Sequence, residues 1–180
     1  LLAYSLVLVA TNEVDRLILG SVASPSEVGV CGASLRIAAF VMFAAEALAV
    51  SFAPLLSTAF SRGDNFQTQR LLNSVHRYLL VLTIPLALVV LFAKEPILAI
   101  FGRDFAGEPR LLVLLIIGQL GSIFFFTAGY ALTMGGRERE AFLISTATLI
   151  VAIIALPLLA AHGLVTFAAG VAGLQWLRAG

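Results

Sequence analysis

The chain has 180 residues, 61% of them hydrophobic and 12% charged, with a formal net charge of +1 and one cysteine, whereas soluble domains have about 45–50% apolar and about 25% charged residues. That balance excludes a soluble globular domain and a nucleic-acid-binding surface. With Cys31 alone, neither an intrachain disulfide nor a thiolate metal cage can form.

The apolar runs approach the roughly 20 residues that cross hydrocarbon as helix and lack the alternation of outer-membrane strands, which predicts an all-α integral membrane protein. Segment one, residues 1–19, carries Asn12, Glu13, Asp15 and Arg16 in its second half, so that end is interfacial or faces a wet interior. Gly20 is expected to stop it. Ser24-Pro25-Ser26-Glu27 then reads as a capping box with proline in the first helical position. Segment two, residues 28–60, is longer than a bilayer core requires, and Pro54 is expected to bend it. Asp64 with Gln67 offers the next capping box.

Segment three, residues 66–92, begins as an interfacial stretch with Leu71, Val75, Tyr78 and Leu82 on one stripe and Gln67, Arg70, Ser74 and Arg77 off it. Pro85 should kink its span, and Pro96 should separate it from a short interfacial piece, Ile97 to Phe101. Segment four, residues 109–134, contains the polar insertions Gln119 and Tyr130 and closes at Gly135-Gly136. Arg137 to Glu140 reads as a charged, solvated connection to segment five, residues 141–160, with Pro157 near its end. Segment six covers residues 163–180.

The expected architecture is therefore a six-helix transmembrane bundle. Arg62, Arg70, Arg77, Arg137, Arg139 and Arg178 fall on one side and Lys94, Arg103 and Arg110 on the other, so the first side is expected to be cytoplasmic. Leu1 is not an initiator methionine and the chain starts and stops inside apolar segments, which reads as a fragment of a longer protein.

Several local patterns coincide: Asp15-Arg16-Leu17-Ile18-Leu19-Gly20, then Glu27-Val28-Gly29-Val30 leading to Ala33-Ser34-Leu35-Arg36-Ile37, and later Phe52-Ala53-Pro54-Leu55-Leu56-Ser57 before Gly63-Asp64. With the runs Phe92 to Phe105, Leu114 to Gln119 and Leu132 to Arg139, they resemble the polysaccharide, lipid-linked oligosaccharide flippases of the multidrug/oligosaccharidyl-lipid/polysaccharide exporter superfamily. The resemblance implies two six-helix lobes around a central cavity that opens alternately to each side of the membrane. This chain, residues 1–180, is similar to the C-terminal lobe, with the N-terminal lobe absent. Gly163 to Ala169 departs from the Gly- and Ala-rich start of the last segment usual in that family.

Two ionisable residues inside segment two are the leading site candidates. Glu46, between Phe43-Ala44-Ala45 and Ala47-Leu48-Ala49, sits where a buried charge costs about 2.5–3.5 kcal/mol on insertion scales. It therefore either carries its proton in a packed seam or faces water and couples a proton or cation. Arg36 lies roughly 12 Å below the helix start at 1.5 Å per residue. It has three readings: snorkelling to the headgroups, pairing with Asp15 or Glu13, or facing the cavity to attract a lipid diphosphate or an acidic sugar. Asp15, Gln119 and Tyr130 complete the candidate pathway, set against a local ion pair for Asp15 and interhelical hydrogen bonding for the other two. His76 and His162 have no neighbours at metal-ligand spacing, and no cofactor or metal is implied.

No phosphate-cradling, His-Glu-x-x-His or Gly-x-Ser-x-Gly pattern is present, which argues against ATP hydrolysis and the commonest hydrolases. The expectation is a secondary carrier in the inner membrane, not an enzyme, turning lipid-linked oligosaccharide across the bilayer for polysaccharide biosynthesis. One alternative is a multidrug/cation antiporter of the multidrug-and-toxin extrusion type. Another is a non-transporting scaffold for glycan assembly. A cationic cavity lining would favour the lipid diphosphate, and an acidic or aromatic one would favour drugs.

Overall fold

The computed structural model describes residues 2–101, 109–134 and 136–179. Leu1, Arg103, Phe105 and Gly135, named above, lie outside the described residues. Seven helices are present among those described: α1 (Leu2–Val22), α2 (Pro25–Ser61), α3 (Asn65–Phe92), the short α4 (Lys94–Phe101), α5 (Pro109–Met134), α6 (Glu138–Ala160) and α7 (Leu164–Ala179). The protein is an all-α membrane bundle. Helices α2, α3, α5 and α6 are long and apolar enough to cross a membrane. α1 carries three charges in its second half, and α7 has 16 residues.

Helix ends follow local chemistry. α1 runs through Gly20 to Val22, because one glycine costs only about 1 kcal/mol in a helix. What ends it is Pro25, which disfavours helical dihedrals at the preceding residue, and Ser24 accordingly sits at φ −67°, ψ 156°. Ser24 Oγ accepts the Glu27 N–H at 3.4 Å, while Glu27 Oε2 accepts the Ser24 N–H at 2.9 Å and its hydroxyl at 2.7 Å. The expected capping box is present. At the far end of α2, the Gly63 N–H reaches Phe60 O at 3.1 Å and the Asp64 N–H reaches Ala59 O at 3.3 Å, with Gly63 at φ 65°. This is a Schellman closure that needs the left-handed backbone glycine tolerates. Asp64 Oδ1 then accepts the Gln67 N–H at 2.8 Å to start α3.

Two expected boundaries and one expected packing face differ. The break after α3 falls at Ala93, and Pro96 sits inside the first turn of α4, where its missing N–H has no partner to lose. The stretch from Arg137 to Glu140 is the cap and first turn of α6, closed by Arg137 Nε donating to Glu140 Oε1 at 2.8 Å. On α3 the buried stripe is Thr68, Val75, Leu79, Thr83, Ala87 and Val90, whereas Tyr78 and Leu82 are exposed. In a bilayer an apolar residue gains nothing by facing inward, so hydrophobicity does not mark the packed face. Thr83 can be buried because its hydroxyl donates to Leu79 O at 2.6 Å.

The helices form a ring. α2, α3 and α5 pack together, α5 packs most extensively on α7, α7 on α6, and α6 on α1; α1 touches α2 only lightly. α5 is the central element, with Leu111, Leu112, Leu115, Ile116 and Ile123 fully buried. Two glycines let α7 approach it. A Cβ at Gly118 would collide with Gln175 Oε1 and would stand 2.7 Å from Ala172 Cα; one at Gly121 would collide with the Trp176 ring. Trp176 Nε1 closes this seam by donating to Ile117 O at 3.1 Å. Small residues at such a seam are the usual device for close helix packing where lipid supplies no hydrophobic drive.

Candidate functional site: an acidic cavity between α1, α2, α5, α6 and α7

Because α1 and α2 make little contact, the ring surrounds a partly open cavity of about 890 Å³, within the roughly 300–1,000 Å³ typical of ligand pockets. α2 presents Leu35, Ala39, Met42 and Glu46 to it, a stripe at helical spacing. α6 contributes Ala141, Ser145, Thr148, Ala152 and Leu156 along its length, and α5 contributes Gln119, Ser122 and Phe126. α7 adds Val171, Leu174 and Gln175.

The charges gather on one wall. α1 supplies Glu13, Asp15 and Arg16, and α2 supplies Glu46. Arg16 is engaged by Glu13, with Nη1 and Oε2 2.8 Å apart, and its backbone N–H is accepted by Asp15 Oδ1 at 2.9 Å. Glu46 is exposed to the cavity and has no hydrogen-bond or ion-pair partner among the described residues. Among the described lining residues, three carboxylates therefore face one guanidinium that is itself paired. The opposite wall, from α5 and α7, is neutral and hydrogen-bonding, with Gln119, Ser122 and Gln175 beside Phe125 and Phe126.

Of the five residues singled out from the sequence, the fold brings Asp15, Glu46 and Gln119 to this cavity. Arg36 is exposed on α2, lies outside the lining, and no described carboxylate pairs with it, so pairing with Asp15 or Glu13 does not occur. Glu13 pairs with Arg16 instead. Ten residues at 3.6 per turn rotate Glu46 and Arg36 about 80° apart around the helix axis, which separates the two groups despite their shared segment. Tyr130 is on α5, and its side chain lies outside the described residues.

Sequence reasoning missed Gln175, Ser122, Ser145 and Thr148. Thr148 is satisfied locally by donating to Ile144 O at 2.9 Å. Gln175 is not: its buried Oε1 has no hydrogen-bond partner among the described residues. An amide in an otherwise apolar helix was the available signal, the same one that drew notice to Gln119.

His76 takes a packing role away from the cavity, with Nδ1 3.2 Å from Thr127 Oγ1 and its ring edge-on to Phe124. Cys31 is buried in the core near the start of α2, as a small apolar residue would be.

Comparison with curated proteins finds no match, and comparison with solved structures finds none either. The MatE family model matches residues 2–158, which takes in α1 to α5 and nearly all of α6. With most of its length matched and its helices arranged around a polar cavity, the chain belongs to MatE, a family of membrane transporters within the multidrug/oligosaccharidyl-lipid/polysaccharide exporter superfamily.

Proposed function

We propose that this chain is the C-terminal lobe of an inner-membrane secondary carrier that turns lipid-linked oligosaccharide from the cytoplasmic to the outer leaflet, driven by a proton or cation that enters the acidic cavity. The observation that carries this reading is the separation of charge on α2. Glu46 joins Asp15 and Glu13 on the cavity wall, while Arg36 stands outside it, exposed and unpaired among the described residues.

A diphosphate is repelled from a wall of carboxylates and attracted by a guanidinium fork, so cargo headgroup and driving cation have different places to go. Weak dielectric screening at the cavity wall strengthens this sorting, because charges a few ångströms apart in a protein interior interact more strongly than in water. The sequence patterns around Asp15 to Gly20 and Ala33 to Ile37 support the oligosaccharide cargo. No covalent bond changes in such a cycle.

A second reading, multidrug/cation antiport, is the one favoured by the character of the lining itself, since an acidic or aromatic cavity suits drugs and a cationic one the lipid diphosphate. The lining combines carboxylates with Phe43, Phe125 and Phe126, a setting that suits an organic cation through charge and ring faces. Under it Glu46 binds the drug cation and Arg36 is structural.

The experiment is reconstitution of the full-length protein in proteoliposomes with a fluorescent disaccharide-bearing polyprenyl diphosphate, and separately with ethidium, under an imposed proton or sodium gradient. The flippase reading expects gradient-dependent flipping of the lipid that falls about ten-fold or more in Arg36→Gln. Ethidium movement without lipid flipping, unaffected by Arg36→Gln, establishes the antiport reading in its place.

A further inference from the structure

We propose that the basic face at the start of α3, Arg70 and Arg77 with Gln69 and Asn73, is a binding site for the headgroup of one anionic phospholipid. It shares no residue with the acidic cavity and does not depend on what that cavity carries.

One exposed face runs the length of α3 and changes character partway. Phe66, Arg70, Asn73 and Arg77 recur at helical spacing, and Val81, Ile84, Leu88 and Phe92 continue the same row, all of them exposed. The apolar half is what acyl chains cover, and Lys94 and Glu95 follow directly after it in α4. At 1.5 Å per residue, Arg70 stands roughly 33 Å from Phe92 and Arg77 roughly 22 Å, against a hydrocarbon core of about 30 Å. Arg70 is therefore level with the headgroups, and Arg77 lies about two turns deeper, inside the acyl margin.

A guanidinium at that depth needs an anion or a route to the surface. Among the described residues no carboxylate pairs with either arginine, and Asp64, the acidic residue nearest in sequence, caps α3 by accepting the Gln67 N–H at 2.8 Å. Residues seven apart differ by only about 20° around a helix, so Arg77, extended toward the surface, converges on Arg70 along one groove that Gln69, Asn73 and Ser74 also line. Phosphate is the anion a bilayer holds at this boundary, and two forks of N–H donors fit its oxygens. The side-chain amides of Gln69 and Asn73 have no partner among the described residues, which leaves them for headgroup hydroxyls and ester carbonyls. Arg62, exposed at the C-cap of α2, adds a third cation at the same end of the bundle. Three arginines repel the ammonium of a zwitterionic headgroup, so the occupant is an anionic lipid of the phosphatidylglycerol type.

The test is native mass spectrometry of the full-length protein, equilibrated with equimolar phosphatidylglycerol and phosphatidylcholine of the same acyl chains. Arg70→Gln and Arg77→Gln, singly and together, are compared with Arg139→Gln, an exposed arginine on α6. We expect the wild type to retain the anionic lipid about ten-fold over the zwitterionic one, the scale of two arginines at an anionic surface. Each single variant should lower that ratio about three-fold and the double variant should bring it to about one, while Arg139→Gln leaves it unchanged and Tm in lipid-free detergent stays at the wild-type value throughout. A wild-type ratio of one, a ratio that survives the double substitution, or an equal loss in Arg139→Gln overturns the site. A double variant that loses Tm or fails to fold in lipid-free detergent also overturns it, because the arginines are then held by the protein's own residues. None of these outcomes bears on the cargo, which the proteoliposome assay decides.

Discussion

Ser24 and Gly63 show how much local chemistry single positions carry in a chain with few charges to spare. Ser24→Ala removes one half of the capping box at α2, and a loss of about 0.5–2 kcal/mol is expected, read as a lowered Tm in detergent. Gly63→Ala forces a β-carbon into φ 65°, and about 1–2 kcal/mol is expected from the left-handed backbone. Both signals were open to view in the sequence, since a capping box and a glycine at a helix end depend on neighbours only. Glu46 is different. Its place in mid-helix was evident from the residues, but that it lines the cavity while Arg36 does not follows from their angular separation on α2 and from which neighbours cover that helix. A protonatable group with no partner facing a cavity should matter for transport and little for folding. Glu46→Gln is expected to leave folding stability within about 0.5 kcal/mol of wild type, the usual range for an exposed substitution, read as a nearly unchanged Tm.

At the level of elements, the α5–α7 seam is the most demanding contact in the bundle. Gly121→Leu would overpack it against Trp176, and a cost of about 1–3 kcal/mol or more is expected, with loss of the Trp176 indole bond visible as a change in tryptophan emission. An all-helical membrane bundle was legible from apolar run length and punctuation. What was not legible was which face of each helix packs. The expected stripe Leu71, Val75, Tyr78, Leu82 is half exposed, and the observed one runs through Thr68 and Thr83. Amphipathic reasoning assumes water outside, and a bilayer removes that contrast. Gly20 and Pro96 misled for a related reason. Gly20 is a weak breaker and Pro96 breaks nothing in a first turn, so Ser24-Pro25 and the turn at Ala93 decided the boundaries.

Across the whole molecule, the ring of helices with α1 standing off α2 turns a uniformly apolar chain into two dissimilar walls around one space. Acids from α1 and α2 face amides from α5 and α7, although Asp15 and Gln175 are 160 residues apart in sequence; no local pattern could have joined them. MatE membership establishes a membrane transporter, and on the proposed reading its acidic cavity would take the cation while Arg36 stands outside the lining. The central claim is that the acidic wall couples transport to a cation. It is tested most directly by measuring transport by the full-length protein in proteoliposomes as a function of an imposed proton or sodium gradient, for wild type, Glu46→Gln and Asp15→Asn. The account predicts that wild-type transport rises with the gradient and that both variants lose this dependence, transporting at the wild type's zero-gradient rate. Gradient dependence that survives intact in both variants would contradict it.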